Sequence, residues 1–260
     1  MLPAVVVFCS IGCRTETSQG ITVVASTANV SAIVKAVGGG RVSVTTVAPA
    51  GMCPGHFDVR PSDIAAVNRS ELLLNQGWEE WLPDLESAIE NPRLTRVTAQ
   101  TKGNWMLPAV HKRAVLEVFN LLAGLDSAFA DTFRIRAESY SARVDSAWTA
   151  ARSTLQGKDL PAVLAADRQA LFLRALGFEV AATYGRPEDF SARELSRLAQ
   201  VGVDKDVGLV VDNLQSGPDA GLELARSLGA RHVNLSNFPL DDDYPQTLLD
   251  NVRSLALVLE

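Results

Sequence analysis

Ala48-Pro49-Ala50-Gly51-Met52-Cys53-Pro54-Gly55-His56-Phe57-Asp58-Val59-Arg60-Pro61-Ser62-Asp63 is the stretch on which the reading of this chain turns. It follows Val42-Ser43-Val44-Thr45-Thr46-Val47, a β-branched run that reads as a strand, and it leads into a helix over 62–68 that Ser62 or Asp63 can cap. Prolines and glycines hold it out of regular structure. The loop presents Cys53 and His56 at C-x-x-H spacing, close enough for a thiolate and an imidazole to share one metal ion. An ordinary turn can show the same pair, so its meaning depends on where the loop lies in the fold.

Outward from that loop, the chain alternates strand and helix. Upstream, a strand is expected over 21–26 and a helix over 29–37, stopped by Gly38-Gly39-Gly40. That glycine triplet follows a helix, whereas a phosphate-binding loop follows a strand. Downstream come a strand over 71–75, an amphipathic segment over 78–90, a strand over 94–99 and a helix over 109–122. Residues 126–156 carry no strand signal. Phe129, Phe133, Ala137, Tyr140, Val144, Ala147, Trp148, Ala151 and Leu155 recur at spacings that predict one long amphipathic helix. The alternation then resumes, with strands over 161–165, 178–183, 207–212 and 232–235. Helices are expected over 168–176, over 192–200 behind Ser191, from Pro218 to Gly229, and over 244–259. The fold class is therefore α/β: two βα-repeat lobes with mostly parallel sheets, 21–124 and 157–260, joined by a long helix within 125–156.

The 260 residues are 47% hydrophobic and carry a formal net charge of −6, which argues for a globular chain and against a nucleic-acid surface. Residues 1–20 stand apart. Met1-Leu2-Pro3-Ala4-Val5-Val6-Val7-Phe8-Cys9-Ser10-Ile11-Gly12 is apolar but too short to span a membrane, and Cys13 and a polar stretch follow it. This resembles the leader of a bacterial lipoprotein, in which Cys13 would be lipidated. Export and a lipid anchor at the cell membrane are expected, and Cys53 is then the only thiol left in the mature chain.

In open parallel sheets ligands bind at the carboxyl ends of the strands. Four loops fall there with candidate groups: Cys53/His56, Asn104-Trp105-Met106, Asp167-Arg168-Gln169 and Asp212-Asn213. Two come from each lobe, so a cleft between the lobes can gather them. His111 lies within a helix and His232 in or beside a strand, and both read as structural or solvated.

Several motifs carry a resemblance. Pro49-Ala50-Gly51, His56-Phe57-Asp58 and Pro61-Ser62-Asp63-Ile64 are similar to one conserved run of the cluster A-I periplasmic solute-binding proteins, which deliver zinc or manganese to ABC importers. Asn75-Gln76-Gly77 with Glu80-Trp81-Leu82, Trp105-Met106-Leu107-Pro108, Gly177-Phe178-Glu179-Val180 and Val210-Val211-Asp212 extend the likeness over residues 20–260. The resemblance implies a rigid two-lobed carrier, not an enzyme, working as a monomer with a permease. It places a ligand histidine at His56 and a ligand carboxylate at Asp212. The family's second histidine is replaced by Gly103 and Asn104, and its third ligand falls at Ala166, one residue before Asp167.

A site of Cys53, His56, Asp167 and Asp212 would be four-coordinate, and its thiolate would favour zinc. Manganese is the family's other ion, and Met52 beside Cys53 would turn the preference toward copper. Each assignment has an alternative: Cys53 as a buried bystander, Asp167 as a helix cap, Asp212 as a turn cap. Asn104 and Trp105 are expected to shape the pocket. Arg168 suggests a second reading, a chelated metal or small anion in the same cleft. A hydrolase using Cys53 and His56 ranks below both, because no third group orients the pair.

Overall fold

The computed structural model describes residues 20–53, 55 and 57–260. Cys13 and His56 lie outside the described residues, so the expectations placed on them are not addressed by the fold.

The first half of the chain runs β1 (Ile21–Thr27), α1 (Ala28–Gly38), β2 (Val42–Ala48), α2 (Pro61–Arg69), β3 (Leu72–Asn75), α3 (Leu82–Ser87), β4 (Thr95–Thr98) and α4 (Pro108–Leu125). The long helix α5 (Ala130–Leu155) follows. The second half runs β5 (Val163–Ala166), α6 (Asp167–Leu176), β6 (Val180–Tyr184), α7 (Ala192–Asp204), β7 (Leu209–Asn213), α8 (Leu222–Leu228), β8 (Arg231–Leu235) and α9 (Tyr244–Val258). The strands form two parallel four-stranded sheets ordered β2-β1-β3-β4 and β6-β5-β7-β8. In each sheet the chain leaves the first strand to one side and returns on the other. The crevice at the carboxyl ends of β1/β3 and of β5/β7 is therefore the natural place for a ligand.

Strand alternation sorts the side chains. Val23 and Ala25 of β1 and Leu209 and Val211 of β7 face one continuous central core shared by both sheets, α1, α4, α5 and α9. Val24 and Leu73 face a separate cluster with Phe57, Trp81 and Leu85, and Val210 faces another with Tyr184 and Leu224. Helix α5 contributes a single buried stripe of Phe133, Ala137, Tyr140, Val144, Ala147, Ala151 and Leu155. Each large member of that stripe stabilises the fold by about 1.5–3 kcal/mol through burial alone. Its 26 residues span about 39 Å, enough to back both sheets.

Four expectations change at element ends. The long helix begins at Ala130, after a 3-10 turn at Ser127–Phe129. Helix α2 is capped from Arg60, whose backbone N–H donates to the Asp63 carboxylate (2.9 Å); neither Ser62 nor Asp63 is the cap itself. The amphipathic segment over 78–90 keeps only α3, because the Glu79 carboxylate takes the N–H groups of Gln76 (2.9 Å) and Trp78 (3.0 Å) into a loop. Pro218 opens no helix, since the Gly221 amide is drawn to the Asp212 carboxylate (2.9 Å) and α8 starts at Leu222. Ser191 does cap α7, its hydroxyl accepting from Glu194 N (3.1 Å).

Where α4, α5 and α9 meet, His111 is fully buried and stacks on Tyr244, ring centroids 3.7 Å apart. Its ring nitrogens reach the Trp105 carbonyl (3.2 Å) and the Tyr140 hydroxyl (3.1 Å), and the Tyr244 hydroxyl donates to the Met106 carbonyl (2.9 Å). Burial lowers the His111 pKa from 6.5 to about 3, against a smaller upward pull from the Trp105 carbonyl. The folded value lies below the unfolded one, so between them the unfolded chain binds the extra proton. Stability is full above about pH 6.5 and falls as pH drops toward 3, by up to about 1.4 kcal/mol per pH unit. His111→Gln should be less stable at pH 7 yet lose that slope between pH 6.5 and 5. Urea unfolding at pH 7, 6 and 5 checks it, and parallel slopes in the two proteins would refute it.

Candidate functional site

The carboxyl ends of the two sheets face each other across a cavity of about 200 Å³. Cys53, Gly55 and Trp78 line it from the first half of the chain. From the second half come Asp167 and Arg168 after β5, Tyr184 at the end of β6 with Arg186 and Asp189 after it, Asn213 at the end of β7 with Gln215 and Ser216 after it, and Asn237 after β8. Residues of both halves of the chain thus line one cavity, and Cys53, Asp167 and Arg168 stand on its wall.

Two direct contacts bridge the halves beside the cavity. Gln215 Nε2 donates to the Ala50 carbonyl (3.0 Å) and to Ser236 Oγ (2.8 Å), while Gln215 Oε1 accepts from Asn237 N (2.9 Å). Asn104, the residue replacing a family histidine, donates from Nδ2 to the Arg168 carbonyl (2.9 Å) and accepts from Met106 N (2.8 Å). Gly55 lets the Arg186 guanidinium approach so closely that a Cβ at that position would collide with it.

Trp105 and Met52 lie elsewhere. Trp105 is buried in the central core, and its indole N–H donates to the Thr101 carbonyl (3.1 Å). Met52 is 41% exposed and outside the cavity wall. Asp167 is the first residue of α6 and exposed; Ala166 occupies the cap position without a side-chain hydrogen bond.

Asp212 is fully buried, because alternation along β7 turns it to the face of Val210, away from the central core. Its Oδ1 accepts from the Tyr184 hydroxyl (2.6 Å) and Gly221 N (3.1 Å); its Oδ2 accepts from Gly221 N (2.9 Å) and His232 Nε2 (2.7 Å). Burial and the neighbouring Asp212 charge push the Tyr184 phenol far above its ordinary range, keeping it a donor. The carboxylate thus ties β6, β8 and the start of α8 together, one side chain behind the cavity wall. His232, read as structural or solvated, is one of its hydrogen-bond partners.

Among the described residues, no three His, Cys, Asp or Glu side chains converge on one point. Arg186, Asp189, Gln215 and Asn237 were not singled out from the sequence. They follow the carboxyl ends of β6, β7 and β8, so the rule that found Asp167 points to them once those strand ends are known.

A family profile for the periplasmic component A of the zinc-uptake complex (ZnuA) matches residues 23–258. The structure superposes on the crystal structure of ZnuA with a TM-score of 0.78 at 18% identity, covering 93% of this chain and 100% of the other. A mutant manganese-bound periplasmic metal-binding protein from candidatus liberibacter asiaticus gives 0.79 at 15% identity, covering 92% and 100%. FpvC from P. aeruginosa in complex with Ni2+ gives 0.79 at 17% identity, covering 92% and 97%. No curated protein matches by sequence.

Proposed function

Since the chain belongs to the family of periplasmic ZnuA-type components of zinc uptake, we propose that it is an extracytoplasmic solute-binding protein that captures a transition-metal ion between its lobes and hands it to an ABC permease. The observation that carries this reading is the cleft at the facing sheet ends, with the Cys53 thiol on one wall and the Asp167 carboxylate on the other. A soft donor favours zinc among the ions such a protein meets, with copper or manganese behind it. His56 completes the donor set by its place in the family's motif, and Asp212 acts from behind through Tyr184. The protein works as a monomer and does no chemistry on its cargo. Export, with Cys13 lipidated, holds it at the outer face of the cell membrane. Among the described residues no helix is long and apolar enough to cross a membrane.

Elemental analysis of residues 20–260, purified without chelator and again after stripping and reloading, tests the reading. About one transition-metal ion per chain, with a rise in melting temperature on reloading, is the expected result. A chain that retains none and melts identically with and without zinc, manganese or copper would overturn it.

A further inference from the structure

The cavity is larger than a bare ion needs. Four protein donors at about 2.0–2.3 Å enclose a zinc ion and leave no free space around it. The 200 Å³ here equals the liquid volume of about six or seven water molecules.

Its walls are also not those of a bare-ion site. Two guanidinium side chains, Arg168 and Arg186, stand on the same cavity as Cys53 and Asp167. Arg186 lies against Gly55 of the opposite lobe and pairs with Glu188 (4.0 Å), and Asn104 of that lobe holds the Arg168 carbonyl. The remaining lining is rich in amides, and the Asn237 Oδ1 is buried without a protein partner. Helix α6, ten residues long, points its uncapped start into the same space, adding partial positive charge beside Arg168. Asp189, the other acid on the wall, spends one oxygen on the Arg186 backbone N–H (3.1 Å). The cleft thus offers donors for a cation and, beside them, two guanidinium forks of the kind that grips carboxylates.

On the reading that the cargo contains a metal, we propose that the cleft takes the ion together with a small polycarboxylate. Cys53 and Asp167 face the cation, and Arg168 and Arg186 hold the carboxylates. The metal enters as a chelate, and the arginines are binding residues for the co-ligand.

Equilibrium dialysis of the metal-stripped protein against zinc alone, labelled citrate alone and both together tests this. The expected result is about one citrate retained per zinc, with citrate at least tenfold tighter when zinc is present. Arg168→Gln and Arg186→Gln should each weaken citrate retention at least tenfold while zinc alone binds as in the wild type. Zinc bound at one per chain but stripped from the protein by citrate would overturn the proposal and leave the bare-ion carrier standing. Citrate bound equally well without zinc would also overturn it, revealing a plain anion site. Zinc absent from every arm would count against the metal reading itself. The wild-type arms decide between these outcomes even where an arginine variant folds poorly, which a thermal melt will show.

Discussion

Asp212→Ala is expected to lower the stability of the protein by about 3–5 kcal/mol, because it strips the hydrogen-bond acceptor from several buried groups at once, at about 1–3 kcal/mol each. For a chain of this size that is a fall of about 10 °C in melting temperature, at roughly 2–4 °C per kcal/mol. The carboxylate is fully buried and accepts from Tyr184, His232 and the Gly221 amide. Its loss leaves the His232 imidazole and the Gly221 N–H without this acceptor and leaves the Tyr184 hydroxyl only the Val211 carbonyl (3.1 Å), and each unpaired group costs about 1–3 kcal/mol. Asp212→Asn keeps the shape and one acceptor, so it should fall between the variant and the wild type. A melt that barely moves, coupled to complete loss of metal, would show that the carboxylate serves the ion and not the fold.

The second large effect concerns Cys53. Cys53→Ser removes the one soft donor on the cavity wall while changing its size little. Zinc affinity should drop by more than about 100-fold, beyond the 10–100-fold typical of residues that only orient a ligand. Manganese, which prefers oxygen donors, should bind the two proteins within a few-fold of each other. Competition with a coloured zinc chelator reads both. Equal zinc affinities would make Cys53 a bystander and shift the ion toward the donors that remain.

How far these features could be read from residues alone depended on what each one rests on. The strands 21–26 and 207–212 are rich in β-branched and apolar residues, and the stripe from Phe133 to Leu155 keeps helical spacing over about six turns. Local pattern decides such elements, so their order and the two-sheet plan were legible. Pro218 and the segment after Trp78 read as helix on local grounds. At Pro218 the Gly221 N–H that would close the first turn goes to Asp212, distant in sequence, and after Trp78 the Glu79 carboxylate turns back to the Gln76 and Trp78 N–H groups, with α3 starting only at Leu82.

The site was legible in the same uneven way. Cys53, Asp167 and Arg168 follow from the rule about strand ends, and the structure brings them to one cavity. The setting of Asp212 does not follow from that rule. One residue along β7 separates the face of Asn213, which lines the cavity, from that of Asp212, which turns to Tyr184 and His232. A period of two decides between them, and a strand end read by motif alone does not fix its phase. Asn104 shows the converse. Its sequence suggested a lost ligand, and the structure gives it a hydrogen bond across the cleft to the Arg168 carbonyl.

The central claim is that a metal ion sits in this cleft with Cys53 among its ligands. X-ray absorption at the zinc edge of the zinc-loaded protein tests it most directly. One sulfur neighbour at about 2.3 Å, replaced by a light atom in Cys53→Ser, is the expected result. A shell of nitrogen and oxygen alone in the wild type, unchanged by that substitution, would contradict the account.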